Sequence, residues 1–212
     1  MNKAVIFDLD GTLWPATEIA LPAFRQVLQE LNLPEPNDET LARTLGYPLE
    51  EIWNMLLPKD KRHLSTSADE LMEQAESHLL ATGIGHTFPN VTSILTYIRE
   101  QGFMTFICSN CQSAYVEFTP KALGISHLFD QKYCAGMYPG LTKTEMVAII
   151  KEEHHINSGF MVGDRFHDIE AGKANDLLTV GCAYGTGHPD ELKGADFIID
   201  SFDQLKEIIV RE

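Results

Sequence analysis

The sequence predicts an α/β fold, a doubly wound, Rossmann-like parallel sheet with a helical segment inserted into it, and three observations carry that reading. Short apolar runs bounded by charge or glycine recur along the chain. From about residue 89 onward they alternate with segments of helical period. Residues 15 to about 85 break the rhythm with helical patterns alone. Continuous apolar runs suit strands covered on both faces, as parallel strands are. Alternation of such strands with helices is the pattern of right-handed crossovers in a doubly wound sheet.

Taken in order, Ala4-Val5-Ile6-Phe7 reads as the first strand. Helical patterns follow over 18–31, 39–45, 49–57 and 68–80, punctuated as turns by Leu33-Pro34-Glu35-Pro36-Asn37-Asp38 and by Leu57-Pro58. Trp14-Pro15 and the stretch from Gly83 to Pro89 supply two linkers, as a segment returning to its parent sheet needs. Beyond them the expected strands are 103–108, 159–162, 177–182 and 195–199, and the expected helices are 91–100, 113–123, 142–154, 168–174 and 202–210. The division expected is a core of 1–14 and 85–212 and a helical insertion of 15–84. No internal repeat or low-complexity tract interrupts it.

Composition narrows the function. The 212 residues include 44% hydrophobic and 22% charged side chains, which excludes a wholly disordered chain. A net charge of −15, with no block of Lys or Arg, argues against nucleic acid as a partner and against an anionic membrane surface. No protein partner is evident. The stretch 81–98 lacks charged residues but carries two Gly, a Pro, an Asn, a His and four Thr, so it is no membrane span. The apolar run after Met1-Asn2-Lys3 is too short for a secretory segment of about 7–15 residues, so a cytoplasmic location is expected. There the four cysteines, Cys108, Cys111, Cys134 and Cys182, are expected as reduced thiols. Cys108-x-x-Cys111 has redox spacing, but Cys108 ends an apolar strand and reads as a buried, inert thiol. His63 and His154-His155 read as surface residues.

The chemistry sits at strand ends. Asp8 and Asp10 stand two residues apart after the first strand, so both face one crevice, and open α/β sheets bind ligands there. Two carboxylates this close repel unless a cation or a proton lies between them, and Mg²⁺ is the usual hard cation beside phosphate; alone, the pair also reads as a solvated turn. Ser109-Asn110 ends the second run before a helix, fit for a phosphate cradle or a simple N-cap. Lys143 opens the next helix, where a cation opposes the helix dipole and hints at an anion to hold. Asp164 tips the strand after it, and Asp168 follows near a helix start. Around the crevice, Arg43 and Tyr47 of the insertion could reach over it, with a solvated helix face favoured for Arg43, and Arg165 and His167 could face either substrate or water.

Phe7-Asp8-Leu9-Asp10-Gly11-Thr12-Leu13, Ser109-Asn110, Lys143 and Gly163-Asp164-x-x-x-Asp168, in this order and on these elements, resemble the four motifs of the haloacid dehalogenase-like hydrolases. The insertion resembles the helical cap domain of the phosphoglycolate phosphatase-like branch. The resemblance implies a phosphatase in which Asp8 is the nucleophile and Asp10 the acid and base. It implies Mg²⁺ as cofactor, attached to Asp8, the Asp10 backbone carbonyl and Asp164, with Asp168 acting on the metal's waters or orienting Lys143. Ser109 and Lys143 would hold the phosphoryl oxygens of a small phosphorylated metabolite, while Asn110 shapes the loop. A phosphomutase and a non-catalytic phospho-ligand binder are the rival readings. Two departures stand out: Trp14-Pro15-Ala16 replaces an acidic residue after the first motif, and Pro139-Gly140-Leu141-Thr142-Lys143 replaces a Lys-Pro run, leaving Lys132 and Lys121 as less well-placed substitutes for Lys143.

Overall fold

The computed structural model describes residues 2–210. The expected core segments therefore begin and end on residues 1, 211 and 212, which lie outside the described residues. Strands β1 (Asn2–Phe7), β2 (Met104–Ser109), β3 (Gln131–Cys134), β4 (Ile156–Gly163), β5 (Leu178–Cys182) and β6 (Phe197–Ile199) form one sheet in the order β3-β2-β1-β4-β5-β6. Every pairing is parallel. β1 lies centrally, and the chain winds outward on one side through β2 and β3 before returning to β4 on the other. The strand order thus reverses beside the carboxyl end of β1, the position at which open α/β sheets form a crevice.

Side chains of β1 alternate between two apolar layers. Val5 and Phe7 face a large core shared with the helices between β1 and β2, while Ala4 and Ile6 face a smaller one with Met146, Val147, Ile150 and Ala171. Between β1 and β2 run α1 (Thr17–Glu30), α2 (Asp38–Ala42), α3 (Leu49–Leu56), α4 (Ser65–Ala81) and α5 (Val91–Glu100), with a 3₁₀ turn over Lys59–Leu64. The large core runs on through Phe24 of α1 and Trp53 of α3, whose rings meet edge to face at 5.6 Å. The remaining helices are α6 (Ser113–Ala122), α7 (Lys143–Glu153), α8 (Phe166–Ala174) and α9 (Leu205–Ile209).

All five expected strands form, and β3 is added to them at the sheet edge. The expected helices form too, with α8 beginning two residues early and α9 opening as a 3₁₀ turn over Phe202–Gln204. His154 is corrected from the surface to a half-buried position, because its ring packs on Phe106 at 4.5 Å and its Nε2 lies 2.8 Å from the Tyr133 hydroxyl.

One ion pair ties α5 to the approach of β3. Arg99 grips Asp130 with two nitrogens at 2.9 and 3.1 Å, and the Thr105 N–H donates to the same carboxylate at 2.8 Å. Burial raises the Asp130 carboxyl, but Arg99 and Thr105 outweigh it and hold the group below the usual aspartate value. A carboxyl depressed by folding adds stability above its unfolded value of about 3.9 and loses it as pH falls through the folded value. Asp130→Asn should therefore cost about 1 kcal/mol at neutral pH, after allowance for solvent screening. Urea unfolding of both proteins at pH 7 and pH 3 measures this, and the difference should be smaller at the lower pH.

Candidate active site

Three strand ends converge at the reversal of strand order. Asp8 follows β1, its N–H bonded to Val162 of β4 at 2.9 Å; Ser109 closes β2; and Asp164 follows Gly163 at the tip of β4. Lys143 is the first residue of α7, behind a Thr142 N-cap whose hydroxyl and Glu145 form a reciprocal capping box. Fixed in that way, the buried ammonium of Lys143 donates to Asp168 Oδ1 at 2.7 Å and lies 2.9 Å from Asp8 Oδ1. Asp168 in turn accepts the Arg165 N–H on its other oxygen at 2.9 Å. The substitutes considered for Lys143 are elsewhere: Lys121 and Lys132 both pair with Glu117.

Asp10 is held by side chains that its own sequence neighbourhood and a distant helix supply. Its Oδ1 accepts from the Trp14 indole at 2.8 Å and from the Tyr115 hydroxyl of α6 at 2.9 Å. Trp14, noted in the sequence as a departure, is fully buried and so serves as a fixed donor. Asp164 Oδ2 accepts three bonds, from the Thr186 N–H at 2.7 Å, the Thr186 hydroxyl at 3.0 Å and the Gly187 N–H at 3.2 Å. Sequence reasoning missed this support. Tyr184-Gly185-Thr186-Gly187, a glycine-bearing turn directly after β5, is the signal that could have found it.

The acids are short of positive charge. Burial pushes Asp8 up to about 6, with Lys143 opposing and Asp168 adding to the rise. Burial and then repulsion from Asp8 push Asp10 and Asp164 each up to about 7, with Asp168 adding to the latter. Lys143 moves upward as well, since Asp168 and Asp8 outweigh the effect of its burial. Asp8 Oδ2 and Asp164 Oδ1 are buried with no hydrogen-bond partner. One oxygen each from Asp8, Asp164 and Asp168 lies within 4.8 Å of the others. Buried carboxylate oxygens without donors are costly, and a hard divalent cation satisfies two of them at once. The donor set fits such an ion.

The loop between α2 and α3 closes one side of the site. Asn110 Nδ2 donates to the Gly46 carbonyl at 2.8 Å, so its side chain shapes this contact. Arg165 is buried, donating to the Leu45 carbonyl and, at 2.8 Å, to Glu191, while its guanidinium stacks over Tyr47 at 4.6 Å. Tyr47 thus reaches the site and Arg43 does not: Arg43 is exposed and paired with Glu39. His167 stands edge-on to Tyr47 at 5.3 Å, and burial, with Lys143 and Arg165 nearby, pushes it down to about 4, so it is neutral at pH 7. Asp8, Asp10, Ser109, Asn110 and Tyr47 line one cleft. The four cysteines are free thiols, and the neighbour of Cys111 is Cys134 on β3, not Cys108. Burial pushes the Cys108 thiol up to about 12, as an inert core cysteine requires.

Sheet order, strand-end acids and the buried lysine define a class that comparison makes explicit: the chain belongs to the haloacid dehalogenase-like hydrolase family, whose model matches residues 5–182. Among individual relatives, it is 26% identical to a protein named Probable phosphatase IndB from Dickeya dadantii, over 97% of this chain and 92% of that one. It is 27% identical to the phosphoglycolate phosphatase of Vibrio cholerae, over 98% and 97% of the two chains. In fold it is similar to a haloacid dehalogenase-like hydrolase from Streptococcus pneumoniae, with a TM-score of 0.85, 21% identity and coverage of 100% and 99%. Among the described residues, no helix is long and apolar enough to cross a membrane.

Gly11 shows how tightly the site is built. Its φ is +76°, and a Cβ there would stand 2.3 Å from Asp164 Oδ2. Gly11→Ala should lose about 1–2 kcal/mol to the left-handed backbone alone, and in addition displace Asp164. Thermal unfolding and phosphate-release assays of the variant should show a lowered Tm together with lost activity; an unchanged Tm counts against the described turn.

Proposed function

We propose that the protein is a Mg²⁺-dependent phosphatase that hydrolyses a small phosphorylated metabolite through an aspartyl-phosphate on Asp8. The single observation that carries this reading is the cluster of Asp8, Asp164 and Asp168 around Lys143, with one oxygen of Asp8 and one of Asp164 left without a donor. Phosphoryl transfer asks little covalent work of a protein beyond a positioned nucleophile and compensated charge. The names of the relatives agree with a phosphatase.

In the reaction, an Asp8 carboxylate oxygen attacks phosphorus, and the bond from phosphorus to the leaving oxygen breaks as Asp10 gives that oxygen its proton. Water then attacks the aspartyl-phosphate, Asp10 takes the water's proton, and inorganic phosphate departs with Asp8 restored. A carboxyl raised to about 7 is suited to both halves of that task. Trp14 and Tyr115 fix Asp10 through one oxygen, which leaves the other for the proton. Ser109 and Lys143 bind phosphoryl oxygens, and Asp168 orients Lys143. Mg²⁺, held by Asp8, Asp164 and the Asp10 backbone carbonyl, would supply the positive charge that lets a phosphate dianion approach these carboxylates. Residues 15–84 act as a cap that shields the cleft from bulk water; the bonds from Asn110 and Arg165 to the Gly46 and Leu45 carbonyls support that role.

Phosphate release from a panel of metabolites should be abolished by a chelator and restored by Mg²⁺; full activity in chelator would remove the metal from the reading. Asp8→Asn should lower turnover on the order of 10³-fold or more, and survival of turnover would exclude Asp8 as nucleophile. Tyr115→Phe loosens Asp10 and should lower kcat about tenfold, with a smaller effect on KM, as steady-state kinetics will measure.

A further inference from the structure

The ends of β2 and β3 bring two thiols together beside the cleft. Ser109 of β2 and Cys134 of β3 are partners across the sheet. Just past them the Ala135 N–H donates to the Ser109 carbonyl at 3.0 Å and the Gly136 N–H to the Cys111 carbonyl at 3.1 Å. The two segments pack so closely that a Cβ on Gly136 would stand 2.5 Å from the Ser113 nitrogen and 2.9 Å from Gln112 Cα. Cys111 and Cys134 consequently interact thiol to thiol. Cys134 is buried, whereas Cys111 is half-buried and lines the cleft with Asp8, Ser109 and Asn110. The Cys111 thiol and, against burial, the N–H groups of Met137 and Gly136 and the Ser113 side chain favour a thiolate on Cys134 and hold it below the usual cysteine value. The other two cysteines are set apart: Cys108 belongs to the opposite apolar layer from Cys134, and Cys182 ends β5, with β1 and β4 between it and β2. An accessible thiol backed by a second one that can resolve it is the arrangement of a reversibly oxidised pair.

We propose that Cys111 and Cys134 are a redox modification site: hydrogen peroxide entering the cleft joins them as a disulfide, and the bridge switches the enzyme off. The Cys111 sulfur attacks one peroxide oxygen, the O–O bond breaks, and the other oxygen leaves as water with the Cys111 proton. The Cys134 sulfur then attacks the sulfenic acid on Cys111. The S–S bond forms, the S–O bond breaks, and a second water leaves with the Cys134 proton. Two electrons pass from sulfur to peroxide, and an added dithiol reverses the change by exchange. The turn that carries Cys111 also positions Ser109, because the Cys111 N–H donates to Ser109 Oγ at 3.3 Å. A disulfide holds its sulfurs about 2 Å apart, closer than two thiols in contact. Bridging therefore draws Cys111 out of the cleft lining toward β3 and takes Ser109 with it, away from the phosphoryl oxygens. The pairing goes beyond the phosphatase reading, and the loss of activity rests on it.

The test treats the reduced, full-length protein with graded hydrogen peroxide, then reads its thiols, its disulfide map and its hydrolysis of p-nitrophenyl phosphate with Mg²⁺ supplied. Free thiols titrated after unfolding should fall from four to two. The mass should drop by two hydrogens, and peptide mapping should join Cys111 to Cys134. Over the same titration kcat/KM should fall about tenfold or more, as displacement of a substrate-positioning group does, and dithiothreitol should restore it. Cys134→Ala and Cys134→Ser leave the cleft lining in place, so both should keep the activity of the reduced enzyme and form no disulfide. Cys108→Ala should still form the bridge. A different pair in the map, oxidation of Cys111 without a bridge, or a disulfide that survives in both Cys134 variants overturns the pairing. A mapped Cys111 to Cys134 bridge with activity unchanged overturns the switch alone. Failure of the reduced enzyme to hydrolyse p-nitrophenyl phosphate or any metabolite overturns the phosphatase reading and the switch with it, while the disulfide map still decides the pairing.

Discussion

One buried ammonium stands among too many carboxylates, and the rest of the site is arranged around that imbalance. Lys143, with 2% of its side chain exposed, touches Asp8 and Asp168. It cannot also neutralise Asp164, whose one satisfied oxygen depends on Thr186 and Gly187 instead. The raised carboxyls of Asp8, Asp10 and Asp164 and the two oxygens without donors are consequences of the same deficit. A cluster of this kind opposes folding, because desolvated like charges repel. It is tolerated where backbone geometry is fixed by something else. Here β1 is bonded on both sides by β2 and β4, and its alternating side chains close two apolar layers, so Asp8 is held in place whatever its charge.

How much of this could be read from the chain depends on whether a residue's role travels with its own neighbours. Asp8, Asp10 and Asp164 were legible because each sits at the end of an apolar run, and Asp168 because it follows four residues later near a helix start; such signals are short-range. Lys143 was legible from its place before a helix, and the Thr142 to Glu145 capping box explains why the helix starts there. β3 was not legible: of its four residues Gln131 is exposed and Lys132 half-buried, so only Tyr133 and Cys134 carry a strand's apolar mark. The donors to Asp164 were hidden because two of them are backbone N–H groups, which any residue except proline supplies. Tyr115 reads as one more face of α6 until its hydroxyl is seen on Asp10, 105 residues away in the chain. Trp14 is the instructive case, since the residue that departed from the family pattern is the one that fixes Asp10 from close by.

Two hydrogen bonds from the sheet's loops to the helical insertion come from the residues next to Ser109 and Asp164. Asn110, which reaches Gly46, follows Ser109; Arg165, which reaches Leu45, follows Asp164. A displacement of the 45–47 loop therefore pulls directly on two of the three strand ends that form the site. Gly46 permits this close fit, with φ of +87° and an added Cβ only 2.8 Å from Arg165 Cγ. To separate the loop from the sheet, the Asn110 bond, the Arg165 bond and the stacking on Tyr47 must all be broken, and Arg165 would keep only Glu191 as a charged partner.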